Sequence, residues 1–104
     1  MPELDPAGFV AEAERFAARL GLDWSVASVE RVATLLRADR SDAAVIGAGC
    51  YVGEVLRRAV AGTWSAEGSL LGLGPVAETM PLVKARAGED LVAYVAEVLR
   101  YAAN

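Results

Sequence analysis

Tyr51, Glu54, Arg57 and Arg58 are the residues of this chain whose types and spacing come nearest to doing chemistry. Placed on a helix at 100° per residue, Tyr51, Glu54 and Arg58 fall within about 60° of one another. Glu54 also precedes Arg58 by four positions. A carboxylate beside a phenol and a guanidinium can move a proton or hold a polar ligand, provided a cleft raises the pKa of the acid. On an open helix face the same residues form an ordinary ion pair, worth about 0.3–0.5 kcal/mol. The spacing favours that solvated pair. Two alternatives stay open: a semi-buried polar network that locks the helix to a following hairpin near Trp64, and recognition of a ligand or partner.

Other chemistry-bearing residues are sparser. Lys84 and Arg86 could join Arg57 and Arg58 in an anion-binding corner if the segment from Pro81 folds against the helix, although scattered solvated charges are the simpler reading. Trp24 and Trp64 each flank a helix end, where a large ring fills a gap, so both read as core aromatics before binding anchors. Cys50 falls on the polar half of the helix, within reach of solvent, but a reactive thiolate needs an exposed, electropositive setting. The series Gly47-x-Gly49-x-x-x-Gly53 has the wrong spacing for a dinucleotide fingerprint and lacks a preceding strand. Gly72-x-Gly74-Pro75 is turn chemistry, and neither Ser65 nor Ser69 has the context of a nucleophile elbow. With no histidine and one cysteine, no structural zinc site can be assembled, and the commonest general base is missing. These residues imply no cofactor, no metal and no catalytic residue.

The elements that must position the strip are readable from local signals. Asp5 caps a first helix with Pro6 at its first position, and Phe9, Ala13, Phe16 and Leu20 recur on one face. Gly21 ends it, with Leu22 folding back on the last turn. A second helix over residues 28–38 is capped by Ser28 or Ser25, with Val29, Val32, Ala33 and Leu36 as its stripe and Trp24 over the junction with the first. The third helix spans residues 43–61. Its packed half carries Val45, Ile46, Ala48, Gly49, Val52, Gly53, Val55, Leu56, Ala59 and Val60; its other half carries Gly47, Cys50, Tyr51, Glu54, Arg57, Arg58 and Ala61. An apolar arc near half the cylinder predicts packing on several sides. Glycine costs roughly 1 kcal/mol against alanine in a helix, so Gly49 and Gly53 predict a groove for a close neighbour.

After Gly62 the pattern shortens. Residues 63–65 read as a strand, 66–68 as a turn and 69–73 as the partner strand. Residues 76–87 are ambiguous; they could form a third strand followed by a short helix opening at Pro81. Gly88, Glu89 and Asp90 start the last helix, whose apolar face is Leu91, Val92, Val95, Val98, Leu99 and Ala102. The expectation is an α+β single domain over residues 1–104: four main helices, with a small antiparallel hairpin or three-stranded sheet before the C-terminal one.

Composition bounds the remaining classes. At 104 residues the chain has the length of one domain, and 55% apolar against 23% charged residues argues for a packed core. The longest uncharged run, residues 43–53, is shorter than the roughly 20 residues a spanning helix needs. The N-terminus is acidic where a secretory signal is basic, and lone Cys50 forms no internal disulfide, so the cytoplasm is expected. Net charge is −4. Residues 1–30 hold six acids against two arginines, and the basic excess within residues 57–86 is thin for nucleic acid.

Gly49-Cys50-Tyr51-Val52-Gly53-Glu54, then Gly62-Thr63-Trp64, then Leu71-Gly72-Leu73, resembles a family of small uncharacterised bacterial domains. In that family a Gly-x-Tyr-x-Gly-Glu helix runs into a Gly-x-Trp strand and a leucine-rich strand. Pro81, Lys84, Arg86, Gly88, Asp90 and Leu91 stand where the family has a Pro-x-x-x-x-(Arg/Lys) segment and a Gly-x-Asp-x-Leu helix start. The likeness covers residues 47–95. It departs at Ala61-Gly62, where the family tends to Gly-Gly, and at Leu82, where an aromatic residue is usual. The resemblance implies an α+β fold and supplies no activity.

The functional expectation is a non-catalytic module acting through a protein partner or its own copy, a homodimer being one form, without nucleic acid or membrane. The rival is a small-ligand binder or enzyme using the Tyr51, Glu54 and Arg58 face, which requires a concave pocket that gathers them. Size and acidity also suit an immunity-like protein that binds a toxin.

Overall fold

The computed structural model describes residues 5–102. Asp5 opens the first helix, α1 (Pro6–Leu20), by accepting the Gly8 N–H at 2.7 Å. The left-handed Gly21 (φ 65°) closes it, and the Leu22 N–H returns to the Ala17 carbonyl at 2.9 Å, as the sequence predicts. Phe9, Ala13 and Phe16 are buried on its inner face. The connection to α2 (Val29–Ala38) includes a single 3₁₀ turn at Val26–Ser28. Ser25 caps that turn, while Ser28 makes no cap bond to α2 and is free for another role.

The third helix, α3 (Asp42–Val60), is capped by Ser41 and is the axis of the molecule. Every residue from 44 to 56 is buried. The expected division into a packed and a polar half is therefore corrected: Gly47, Cys50, Tyr51 and Glu54 lie inside, and Ala59, assigned to the packed half, is exposed. The reason is the company α3 keeps. Helix α1 packs along one side, the C-terminal elements cover another, and the Trp24–Ser28 segment covers part of the strip that would face water in a lone helix.

Ala61 leaves the helix at φ 68°, ψ −162°, and Gly62 at φ 115° turns the chain into the sheet. Three antiparallel strands follow in the order β1 (Thr63–Trp64), β2 (Leu70–Leu73) and β3 (Val76–Thr79). Trp64 pairs with Leu70, and Leu71 with Glu78. The ambiguous stretch takes the strand-then-helix form, β3 followed by α4 (Pro81–Arg86). The last helix, α5 (Leu91–Ala102), begins three residues later than Gly88. Asp90 lies just ahead of it and accepts the Ala93 N–H at 3.1 Å. Among the described residues, five α-helices and a three-stranded sheet set before the C-terminal helices make the fold α+β.

The glycines of α3 explain how the later elements seat. A Cβ on Gly49 would stand 2.9 Å from the Leu82 Cα, and one on Gly53 would stand 2.3 Å from the Trp64 ring and 2.9 Å from Pro81. On the opposite side, Gly47 receives the Phe16 ring. So the glycines serve close packing, and Gly49 and Gly53 bring α4 and Trp64 directly onto the helix. Among the described residues, no helix is long and apolar enough to cross a membrane.

Candidate functional site

Glu54 is completely buried, and its carboxylate is saturated. Arg57 grips it with both fork nitrogens, Nε on Oε1 at 2.5 Å and Nη2 on Oε2 at 3.0 Å. Arg58 Nε donates to Oε2 at 3.1 Å, and the Trp64 indole N–H donates to Oε1 at 2.9 Å. The two arginines arrive from the next turn of the same helix; the indole arrives from β1. Burial pushes the carboxyl pKa up, but the bonds from Arg57, Trp64 and Arg58 outweigh it and hold the group below its ordinary value. Glu54 in turn raises the Arg57 pKa. A carboxylate kept as an anion, with four donors upon it and no solvent, is built to tie elements together; proton transfer would need a free lone pair and a raised pKa.

Tyr51 makes a second tie, one turn earlier. Its hydroxyl accepts the Trp24 N–H at 2.9 Å and bonds the Ser28 hydroxyl at 2.6 Å. Ser28 is also bonded to the Ser25 carbonyl at 2.6 Å, which fixes its proton there and makes the Tyr51 hydroxyl the donor to Ser28. The Trp24 ring stacks on Tyr51 with centroids 4.9 Å apart, and the Arg58 guanidinium lies 3.6 Å from the centre of that same Trp24 ring. Trp24 holds φ 67°, a conformation in which a bulky side chain is strained. The layers Arg58, Trp24, Tyr51 and the backbone bond to Tyr51 keep it there.

The solvated ion pair favoured by spacing is thus replaced by a buried polar network, one of the two alternatives left open. The network reaches further than expected. It joins α3 to the hairpin through Trp64 and to the α1–α2 connection through Trp24 and Ser28. Spacing on α3 identified Tyr51, Glu54, Arg57 and Arg58; nothing local to residues 24–28 signals that a tryptophan N–H and a serine hydroxyl will meet Tyr51.

The remaining candidates lie elsewhere. Lys84 pairs with Glu89 at 3.1 Å and stands 5.8 Å from the centre of the Tyr94 ring. Arg86 is exposed, and its carbonyl, with that of Ala85, accepts from the Arg40 guanidinium at the C-terminal end of α4. Cys50, expected within reach of solvent, is fully buried, and burial pushes its thiol up to about 12. Ser65 and Ser69 bond each other at 2.8 Å, and Ser69 donates to Glu78 at 3.0 Å, tying the hairpin turn to β3. No group of three or more potential metal ligands occurs among the described residues.

Open depressions mark the surface formed by the described residues. The first, about 610 Å³, lies between the end of α2 and the α4–α5 connection, lined in part by Arg37, Arg40 and Asp90. A second, about 490 Å³, lies beside Leu22, Arg31 and Leu35. The third, about 370 Å³, is lined by Glu14, Ala17, Ala18, Gly21, Leu22, Trp24 and Arg58. Of these, the third touches the strip, and it reaches Arg58 without Tyr51 or Glu54.

No family model, no curated protein and no solved structure matches the chain. The likeness of residues 47–95 to the small bacterial domains rests on its motifs alone.

Proposed function

We propose that this chain acts by contact with a protein, a partner or a second copy of itself, and that it does no catalysis. The observation that carries this reading is the outer side of α4. While Pro81 and Ala85 are buried, Met80 and Val83, three positions apart, are 44% and 56% exposed. Leu71, Val92 and Tyr101 add further exposed apolar surface. Meanwhile Tyr51 and Glu54 of the α3 strip are engaged within the molecule, which favours apolar contact as the main means of recognition. The net charge of −4 and the engagement of Arg40, Arg57 and Lys84 within the chain favour a protein over a nucleic acid. Buried Cys50 suits a reducing compartment, the cytoplasm.

Light scattering from micromolar to millimolar concentration tests the self-association form. A mass that rises towards a dimer, and that Val83→Glu returns to the monomer, supports it; a strict monomer throughout removes it. A small-ligand site is the second reading. What favours it is the free edge of Arg58 beside Trp24.

A further inference from the structure

Arg58 is held on two sides and open on a third. Its Nε is fixed by Glu54, and one face of its guanidinium lies against Trp24. Among the described residues no partner engages Nη1 or Nη2, and the side chain is 37% exposed. Arg57 stands beside it, because its Nη2 and the Arg58 Nε bond the same oxygen, Glu54 Oε2. The Nη1 of Arg57 is likewise without a partner among the described residues. One buried carboxylate between two guanidiniums leaves one positive charge uncompensated at the surface.

We propose that this arginine pair receives a single carboxylate group carried on a short apolar stem. The Nη1/Nη2 edge of Arg58 is a planar fork that matches the two oxygens of a carboxylate. Glu54 and Trp24 fix the fork in advance, so little side-chain entropy is lost on binding. Three features select one negative charge over two. The pair carries one uncompensated positive charge, Glu14 lies on the wall of the adjoining depression, and the negative pole of α3 ends at Val60, close by in the chain. A phosphate dianion meets repulsion there that a carboxylate largely escapes. Ala17, Ala18, Leu22 and the Trp24 ring supply the apolar wall for the stem. The carboxylate could belong to a free small acid or to the end of a partner chain. This site goes beyond the apolar contact on α4, and its failure would leave that reading intact.

The test is an NMR titration that follows the Arg58 Nε–H and Trp24 indole resonances. The probes are N-acetyl-leucine, N-acetyl-leucinamide, inorganic phosphate and a hexapeptide with a free C-terminal leucine. N-acetyl-leucine should move both resonances and saturate with a Kd on the order of 1 mM, as suits a single solvent-facing fork. The amide and phosphate should bind at least roughly tenfold more weakly, the loss expected when the charge-assisted fork is absent or mismatched. Arg58→Lys keeps the charge towards Glu54 but loses the fork, and should weaken the acid at least about fivefold in a folded protein. Glu14→Gln, which removes none of the bonds of the buried network, should strengthen the acid and narrow its lead over phosphate. Tighter binding of the hexapeptide assigns the carboxylate to a chain end, and tighter binding of N-acetyl-leucine assigns it to a free acid; either supports the site. Equal shifts by acid and amide, or unchanged acid binding in Arg58→Lys, would overturn it.

Discussion

At the scale of single residues, the buried Glu54 and the strained Ala61 matter most. Replacing Glu54 by Gln keeps its shape but removes the charge that two arginines and an indole address, so a loss of about 2–4 kcal/mol is expected. The pH dependence has a definite sign. The folded pKa of Glu54 is lowered, so its contribution is fully present above the unfolded pKa and is lost as pH falls through the folded value. Urea midpoints should therefore drop on acidification below the ordinary carboxylate range, and Glu54→Gln should show a shallower drop over the same window. An equal acid slope in both proteins would show that other carboxylates control it. Ala61 sits at φ 68°, ψ −162°, a combination that glycine adopts freely and alanine does not. Ala61→Gly should raise stability by about 1 kcal/mol, the strain relieved exceeding the added freedom of the unfolded chain. Denaturant unfolding reads the change directly.

At the scale of elements, the glycines of α3 set the fold. In a solvated helix, Gly49→Ala would gain roughly 1 kcal/mol of helix propensity. Here the new methyl meets the Leu82 Cα at 2.9 Å, which is backbone and yields only if α4 moves. The variant should lose about 1–3 kcal/mol, the usual cost of overpacking, and equilibrium unfolding will show which term wins. This contrast also explains what was legible in the sequence. The caps Asp5 and Gly21, and the close-packing role of Gly49 and Gly53, are readable because their signals lie within a few residues. The burial of Tyr51 and Glu54 is not readable that way. It depends on Trp24, 27 positions before Tyr51, and Trp64, ten positions after Glu54. A helical wheel sorts residues by polarity; it does not know that an indole N–H and two guanidiniums will satisfy an acid inside. Likewise the start of α5 moves from Gly88 to Leu91 because Asp90 acts as its cap, which composition alone does not separate from a first-turn acid.

At the scale of the whole molecule, α3 passes through the centre, and its midpoint reports on the integrity of everything around it. Cys50 lies there, fully buried, with its thiol pushed up to about 12. Its reaction with a thiol reagent should be negligible in buffer and should rise with urea along the same curve as far-ultraviolet circular dichroism. Reaction at low urea, ahead of that curve, would show a local opening of α3. The two polar ties differ in another respect, the length of chain each must close. Glu54 meets Arg57 and Arg58 within one turn of helix, meets Trp64 ten residues on, and Tyr51 meets Ser28 across 23 positions. Since the entropy lost in closing a loop grows with its length, these separations rank the contacts by closure cost. The acid and its arginines cost least to bring together, the indole more, and the Tyr51 bond to the α1–α2 connection most. The carboxylate that the finished protein buries deepest in its polar network is thus also the contact with the shortest loop to close.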